Sequence, residues 1–153
     1  MTLRVENGGL EHPATLVLLR EHLAQMHQFS PPGTVHALDI AALKAPDISF
    51  YTAWLGDELA GCGALKALSN NAGEIKSMRT HAGHLRHGVG KTILMHIIKA
   101  AGKRGYDTLY LETGSGEVFE PALALYRKNG FVGCGAFGGY TATEFNQFLC
   151  LDL

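Results

Sequence analysis

The sequence carries almost no net charge: 13 Lys and Arg stand against 14 Asp and Glu, leaving −1 with histidines neutral. So balanced a chain offers no electrostatic footprint for nucleic acid or an anionic membrane. No apolar run approaches the roughly 20 residues that span a bilayer. The opening Met1-Thr-Leu-Arg-Val-Glu lacks a signal-peptide pattern. Cysteine is scarce and odd in number, with Cys62, Cys134 and Cys150 in apolar, strand-like contexts. That excludes a disulfide scaffold and reads as the reduced thiols of a cytoplasmic protein. No cation or helix start adjoins any of them to create a nucleophile. Repeats, low-complexity tracts and linkers are also missing. A length of 153 residues with 46% hydrophobic and 18% charged content therefore reads as one globular domain, residues 1–153.

Turn residues punctuate what is present. Thr2 to Glu6 alternates and ends at Asn7-Gly-Gly9, a strand and a turn. Pro13 suits a first helical position, and Leu16, Leu19, Leu23 and Met26 keep helical spacing after it. A short second helix is expected within Val35 to Leu43, stopped before Pro46. Ile48 to Leu55 and Leu59 to Leu65 flank Gly56-Asp57, a hairpin signal. A strand follows from Glu74. Beyond it Ile93, Leu94, Ile97, Ile98 and Ala101 mark one face of a helix, Thr108 to Thr113 reads as a strand, and Pro121 opens a helix closed by Asn129-Gly130. Phe131 to Phe137 and Phe145 to Leu151 complete the chain as strands. This order predicts a mixed α/β fold with parallel neighbours in the second half and an antiparallel meander before them.

The segment from Glu74 to Thr92 is the most informative. A strand breaks into a loop that tightens on Gly88-Val-Gly90 and opens directly onto a helix. Helix-start N–H groups lack intrahelical acceptors, and glycine lets backbone approach an anion, so the arrangement suits a diphosphate. Gly90-Lys-Thr92 resembles the end of a Walker loop. The glycine required four intervening residues earlier is Leu85, however, so that motif fails. A dinucleotide fingerprint fails at Ile93, where its third glycine belongs.

This loop is similar to motif A of the Gcn5-related N-acetyltransferase (GNAT) superfamily, Arg/Gln-x-x-Gly-x-Gly/Ala. The stretch Ala122-Leu-Ala-Leu-Tyr-Arg-Lys-Asn-Gly-Phe131 resembles its motif B. Ser30 to Asp39 and Glu74 to Thr80 look like those of a bacterial subgroup of acetyltransferases. The resemblance implies an α+β fold: a largely antiparallel central sheet, parallel central strands at a CoA cleft, and flanking helices. It implies acetyl-CoA as co-substrate and no metal. The residues it assigns to the CoA site are Met78, Arg79, Thr80, Leu85, Arg86, His87, Gly88, Val89, Gly90, Lys91, Phe119 and Ala122. Leu85 departs from the family Arg/Gln, and Phe119 stands where an Asn is often found.

The activity implied is acetyl transfer to a primary amine of a small molecule or protein. The alternative is a non-catalytic acetyl-CoA-binding module acting through a partner. Tyr126 is the expected acid, since a phenol donates while neutral; otherwise it is a core tyrosine. Glu74 is the expected base and shares strand parity with Lys76, Met78 and Thr80; otherwise it is an ion-pair partner of Lys76 or Arg79. Glu112 is the second choice. His36 and Asp39 are expected at the acceptor. Lys76, Arg79 and Arg20 could give that site a cationic side for a carboxylate-bearing amine. His81, His84 and His87 lack the accompanying Cys or carboxylate pattern of a metal site. Neither nucleic acid nor membrane is an expected partner, and a homodimer is compatible with the sequence.

Overall fold

A computed structural model describes residues 2–153. Its strands are β1 (Leu3–Asn7), β2 (Ile48–Leu55), β3 (Glu58–Ala67), β4 (Ala72–Thr80), β5 (Thr108–Thr113), β6 (Val132–Gly133) and β7 (Gln147–Asp152). Its helices are α1 (Pro13–Phe29), α2 (Val89–Lys103) and α3 (Glu120–Lys128), with 3-10 turns at Ala42–Lys44, Ala82–His84 and Glu117–Phe119. The strands form a single seven-stranded sheet in the order β1-β2-β3-β4-β5-β7-β6. Pairing is antiparallel throughout except at β4–β5. The expected mixed sheet with a parallel centre is present.

Local chemistry explains most boundaries. Leu55 pairs with Glu58 across a two-residue loop, and Gly56 there takes φ +62°, which glycine adopts without strain. Pro13 opens α1, and the His12 side chain accepts a hydrogen bond from the Ala14 N–H at 3.1 Å. The buried face of α2 is Val89, Ile93, Leu94, Ile97 and Ala101, which follows the expected stripe. It packs with Tyr51, Leu65, Ile75, Leu109, Leu111 and Leu149 on one face of the sheet. On the opposite face Leu18 and Leu19 of α1 pack with Phe50, Trp54, Leu59, Cys62 and Ala64.

Three expectations fail. The buried face of α1 is Thr15, Leu18, Leu19 and His22, so of the expected Leu16, Leu19, Leu23 and Met26 only Leu19 is fully buried and the other three are half-buried. This helix has leucines enough for two stripes, and sheet packing selects the one that buries two polar side chains. The helix expected within Val35 to Leu43 shrinks to the turn Ala42–Lys44. Phe131 to Phe137 contributes only the two-residue β6. Glycines 133, 135, 138 and 139 deny that segment strand propensity. It folds instead as a loop whose Phe137 and Tyr140 rings pack on Phe148 and on each other, at centroid separations of 5.7, 5.9 and 5.2 Å. Among the described residues no helix is long and apolar enough to cross a membrane.

Candidate active site

The parallel pair β4–β5 ends early. Its last rung is Glu74 opposite Tyr110. From there β4 continues along β3 to Thr80 while β5 continues along β7 to Thr113. The strands part, and a cavity of about 560 Å³ occupies the gap. It is lined from one side by α1 and the segment after it, and from the other by the start of α2 and by α3.

A bulge in β4 decides which side chains face which half. Ala64 pairs with Lys76 and Cys62 with Arg79, so three steps on β4 oppose two on β3. The extra residue falls at Ser77, which takes φ +55°, a rare conformation for a residue with a side chain. Ala64 and Cys62 share a face, so Lys76 and Arg79 do also. Met78 and Thr80 then point the other way. Their neighbours agree: a Cβ at Gly63 would meet Met78 Sδ at 2.6 Å beside Ile93 and Ile97 of α2. The expected common parity of Glu74 with Met78 and Thr80 is therefore wrong. One inserted residue turns the strand end over.

Glu74 is 2% exposed, and its Oε2 is fully engaged. Lys76 Nζ donates to it at 3.2 Å and the Tyr140 hydroxyl at 2.6 Å, while Lys76 also donates to the Tyr140 oxygen at 2.7 Å. Burial, then the Glu74 carboxylate, push the Tyr140 phenol up. Glu112 lies beyond the last β4–β5 rung and also lines the cavity. Burial raises its carboxyl to about 7, against an opposing pull from Lys76 and with a further push from Glu74. Tyr126 borders the cavity from α3, edge-on to Phe131 at 5.7 Å, and burial pushes its phenol up. Its hydroxyl takes no hydrogen-bond partner among the described residues.

The glycine loop delivers the start of α2. Gly88 is the N-cap, at φ +77° and ψ +15°, and Thr92 bonds back to its carbonyl through N–H at 3.0 Å and hydroxyl at 2.8 Å. A Cβ at Gly88 would meet nothing within 4 Å, so conformation and not space demands glycine. At Gly90 the demand is space: a Cβ would lie 3.1 Å from Leu125 of α3, so the missing side chain lets the two helices close up. Val89 is buried, whereas Arg86, His87 and Lys91 are exposed. Leu85, Phe119 and Ala122 line the cavity, and Phe119 stacks edge-on with Phe145 at 5.6 Å.

Among the acceptor candidates His36 lines the cavity, its ring 5.0 Å from that of Tyr140. Asp39 does not. Its Oδ1 accepts from the Ala42 N–H at 2.7 Å, at the start of the short turn that replaces the expected helix. His81 Nδ1 caps its own turn through the Gly83 N–H at 3.0 Å, and His84 faces Glu58 at 3.9 Å. His22, Gln25 and Tyr140 join this region without having been singled out from the sequence. His22 had a signal, a polar residue four positions after Leu18 on the buried face. Tyr140 had none, lying in aperiodic, glycine-rich sequence.

Comparison with known proteins meets this geometry. The chain is 57% identical over 136 residues to an uncharacterized N-acetyltransferase of Bacillus subtilis (strain 168), covering 89% of this chain and 90% of that one. An uncharacterized N-acetyltransferase of Escherichia coli (strain K12) is 42% identical over 149 residues, 97% and 94% of the two chains. The crystal structure of a Bacillus subtilis acetyltransferase in complex with CoA is similar at a TM-score of 0.67 and 27% identity, over 99% of each chain. The acetyltransferase (GNAT) family model matches residues 16–131, from the first turn of α1 to the end of motif B. With most of the sequence inside that match, and with close relatives that are N-acetyltransferases, the chain belongs to the GNAT family and is an acetyltransferase.

Proposed function

We propose that this protein, acting as a single domain in the cytoplasm, transfers the acetyl group of acetyl-CoA directly to a primary amine of a small molecule or protein. The observation that carries the reading is the parting of β4 from β5 into a through-sheet cavity that meets the N-terminus of α2. Residues on the α2 side fit acetyl-CoA. First-turn N–H groups at Val89, Gly90 and Lys91 have no intrahelical acceptor, Gly88 leaves their approach clear, and a diphosphate complements the positive helix end. Arg86 and Lys91 add charge at the rim. The complex of the Bacillus subtilis acetyltransferase with CoA supports this use of the cleft. Acetyl-CoA supplies the activated acetyl thioester.

The chain's own groups then do three things. The β4 bulge leaves main chain at Ser77–Met78 unpaired with β3, so an N–H there polarises the acetyl carbonyl. Tyr126 donates its phenolic proton to the departing sulfur. The amine's proton passes to Glu112 and not to Glu74, whose oxygen is already held by Lys76 and Tyr140. A carboxyl near 7 is substantially ionised at neutral pH yet basic enough to accept the proton. His36 contacts the acceptor.

Calorimetry with acetyl-CoA, followed by a free-thiol release assay over a panel of amines, tests the reading. Micromolar binding with thiol release in a ternary-complex kinetic pattern is the expected result. Binding without release across a broad panel would favour the non-catalytic module, and an acetyl group trapped on Cys62, Cys134 or Cys150 would sink direct transfer. Burial raises the Cys62 thiol to about 12, which argues against a thiolate there.

A further inference from the structure

Charges in the α1-facing half of the cleft are not all paired. Glu74, Lys76 and Tyr140 satisfy one another, and Arg20 is exposed on α1 away from the cavity. Arg79 is left over. The bulge places its side chain on the face of Lys76, and it lines the cavity. Its hydrogen bond goes to the side-chain oxygen of Gln25, a neutral group, and its Nε is buried with no partner. Among the described residues no carboxylate pairs with it. His22, also lining the cavity, supplies no counter-charge. Burial first, then Arg79, hold its imidazole down at about 4, and its Nδ1 too is buried without a partner.

A guanidinium partly withdrawn from water is costly without an anion, and its planar fork matches the two oxygens of a carboxylate. Lys76 and Arg79 are separated by the span of two β3 residues, about 7 Å along the strand. Glu112 senses Lys76 and Glu74, the opposite end of this row from Arg79. The cleft thus has a proton acceptor at one end and an unpaired cation a short molecule's length away.

We infer that the acceptor is a small amine bearing its own carboxylate, an amino acid or close relative, with the carboxylate held by Arg79 and the amine directed to Glu112. This specifies the substrate class of the acetyl-transfer reading above and rests on it. The chemistry disfavours polyamines and sugar amines, which would bring only positive or neutral groups to Arg79.

The test compares α-, β- and γ-amino acids with their own carboxamides in the thiol-release assay. At least one free amino acid should exceed its carboxamide in kcat/KM by tenfold or more, mainly through KM. Arg79→Gln should abolish that preference, and Arg79→Lys, which keeps the charge but not the fork, should retain part of it. Carboxamides or simple amines used as well as the acids would overturn the inference while leaving acetyl transfer intact. A wild-type preference undiminished in Arg79→Gln would overturn it equally, as would acetyl-CoA binding with no amine of either set acetylated. Failure to bind acetyl-CoA would instead remove the parent reading, and this one with it. The wild-type comparison needs no variant, so a poorly folding Arg79→Gln cannot shelter the claim.

Discussion

Replacing Gly88 by Glu separates the fold from the binding of the co-substrate. At φ +77° a side chain costs about 1 kcal/mol relative to glycine. No clash adds to this, since a Cβ there meets nothing within 4 Å. A carboxylate at the start of α2 returns about 0.3–1 kcal/mol through the helix dipole, so folding stability should change by no more than about 1 kcal/mol. Binding is another matter. A diphosphate brings at least two negative charges to the same helix end. At roughly 5 Å, each repels the new carboxylate by about 0.8 kcal/mol in water and about 3 kcal/mol at an effective dielectric of 20. The sum, roughly 2–6 kcal/mol, is an affinity loss of about 30-fold or more. Gly88→Ala is the control because it carries the same strain without the charge. Urea unfolding should show the two variants within about 1 kcal/mol of each other, with Gly88→Glu the more stable. Calorimetry with acetyl-CoA at low salt should show Gly88→Glu at least 30-fold weaker than Gly88→Ala, with the gap narrowing as salt rises. If Gly88→Glu binds within threefold of Gly88→Ala, the diphosphate does not sit at this helix start.

Tyr126→Phe should lower kcat by tenfold or more with little change in the KM for acetyl-CoA; an unchanged kcat would leave Tyr126 a core side chain only. The rate of the wild-type enzyme should rise with pH through about 7 as Glu112 ionises, and Glu112→Gln should lower kcat/KM and remove that limb. The stability consequence of Glu112 has the opposite sense. Its folded pKa lies above the ordinary 4.5, so its favourable contribution is full below 4.5 and lost as pH rises through 7. Glu112→Gln should then flatten that decline in urea midpoints. His22 is the reverse case: with its pKa depressed from 6.5 to about 4, stability is present above 6.5 and falls as pH drops through 4. His22→Leu should reduce the acid loss in that window, and an unaltered profile would show that His22 is not its source.

Elements announced by local chemistry were legible in the sequence. Pro13 and Pro121 near helix starts, Gly56-Asp57 in a hairpin, and the Ile93–Ile97–Ala101 stripe all act through contacts within one element or its cap. The glycine loop was legible for the same reason, although Gly90 proves to serve helix packing as well as an open approach. What was not legible depends on partners far away in the chain. The bulge at Ser77 appears only once β3 and β4 are in register, and no pattern in Glu74 to Thr80 marks the inserted residue. Without it, Glu74 and Lys76 look like face-mates of Met78 and Thr80 rather than of Arg79. Glu74 could not be excluded as a free base from its sequence neighbours, because one of its two partners, Tyr140, is 66 residues distant in glycine-rich sequence. Asp39 lies outside the cavity lining because the helix expected around it is reduced to a turn, whose Ala42 N–H its carboxylate accepts.

The bulge at Ser77 also divides the strand into two separately addressable ends. A substitution at Lys76 or Arg79 edits the half of the cleft that faces α1, while one at Met78 or Thr80 edits the half that faces α2. Deleting Ser77 would remove the bulge and make the alternation regular, leaving Lys76 and Arg79 toward α1 and Met78 and Thr80 toward α2. Variation by substitution is therefore free to change one half of the cleft without disturbing the other. What a change of length at this point would cost is the main chain left unpaired at Ser77–Met78, not the facing of the side chains on either side of it.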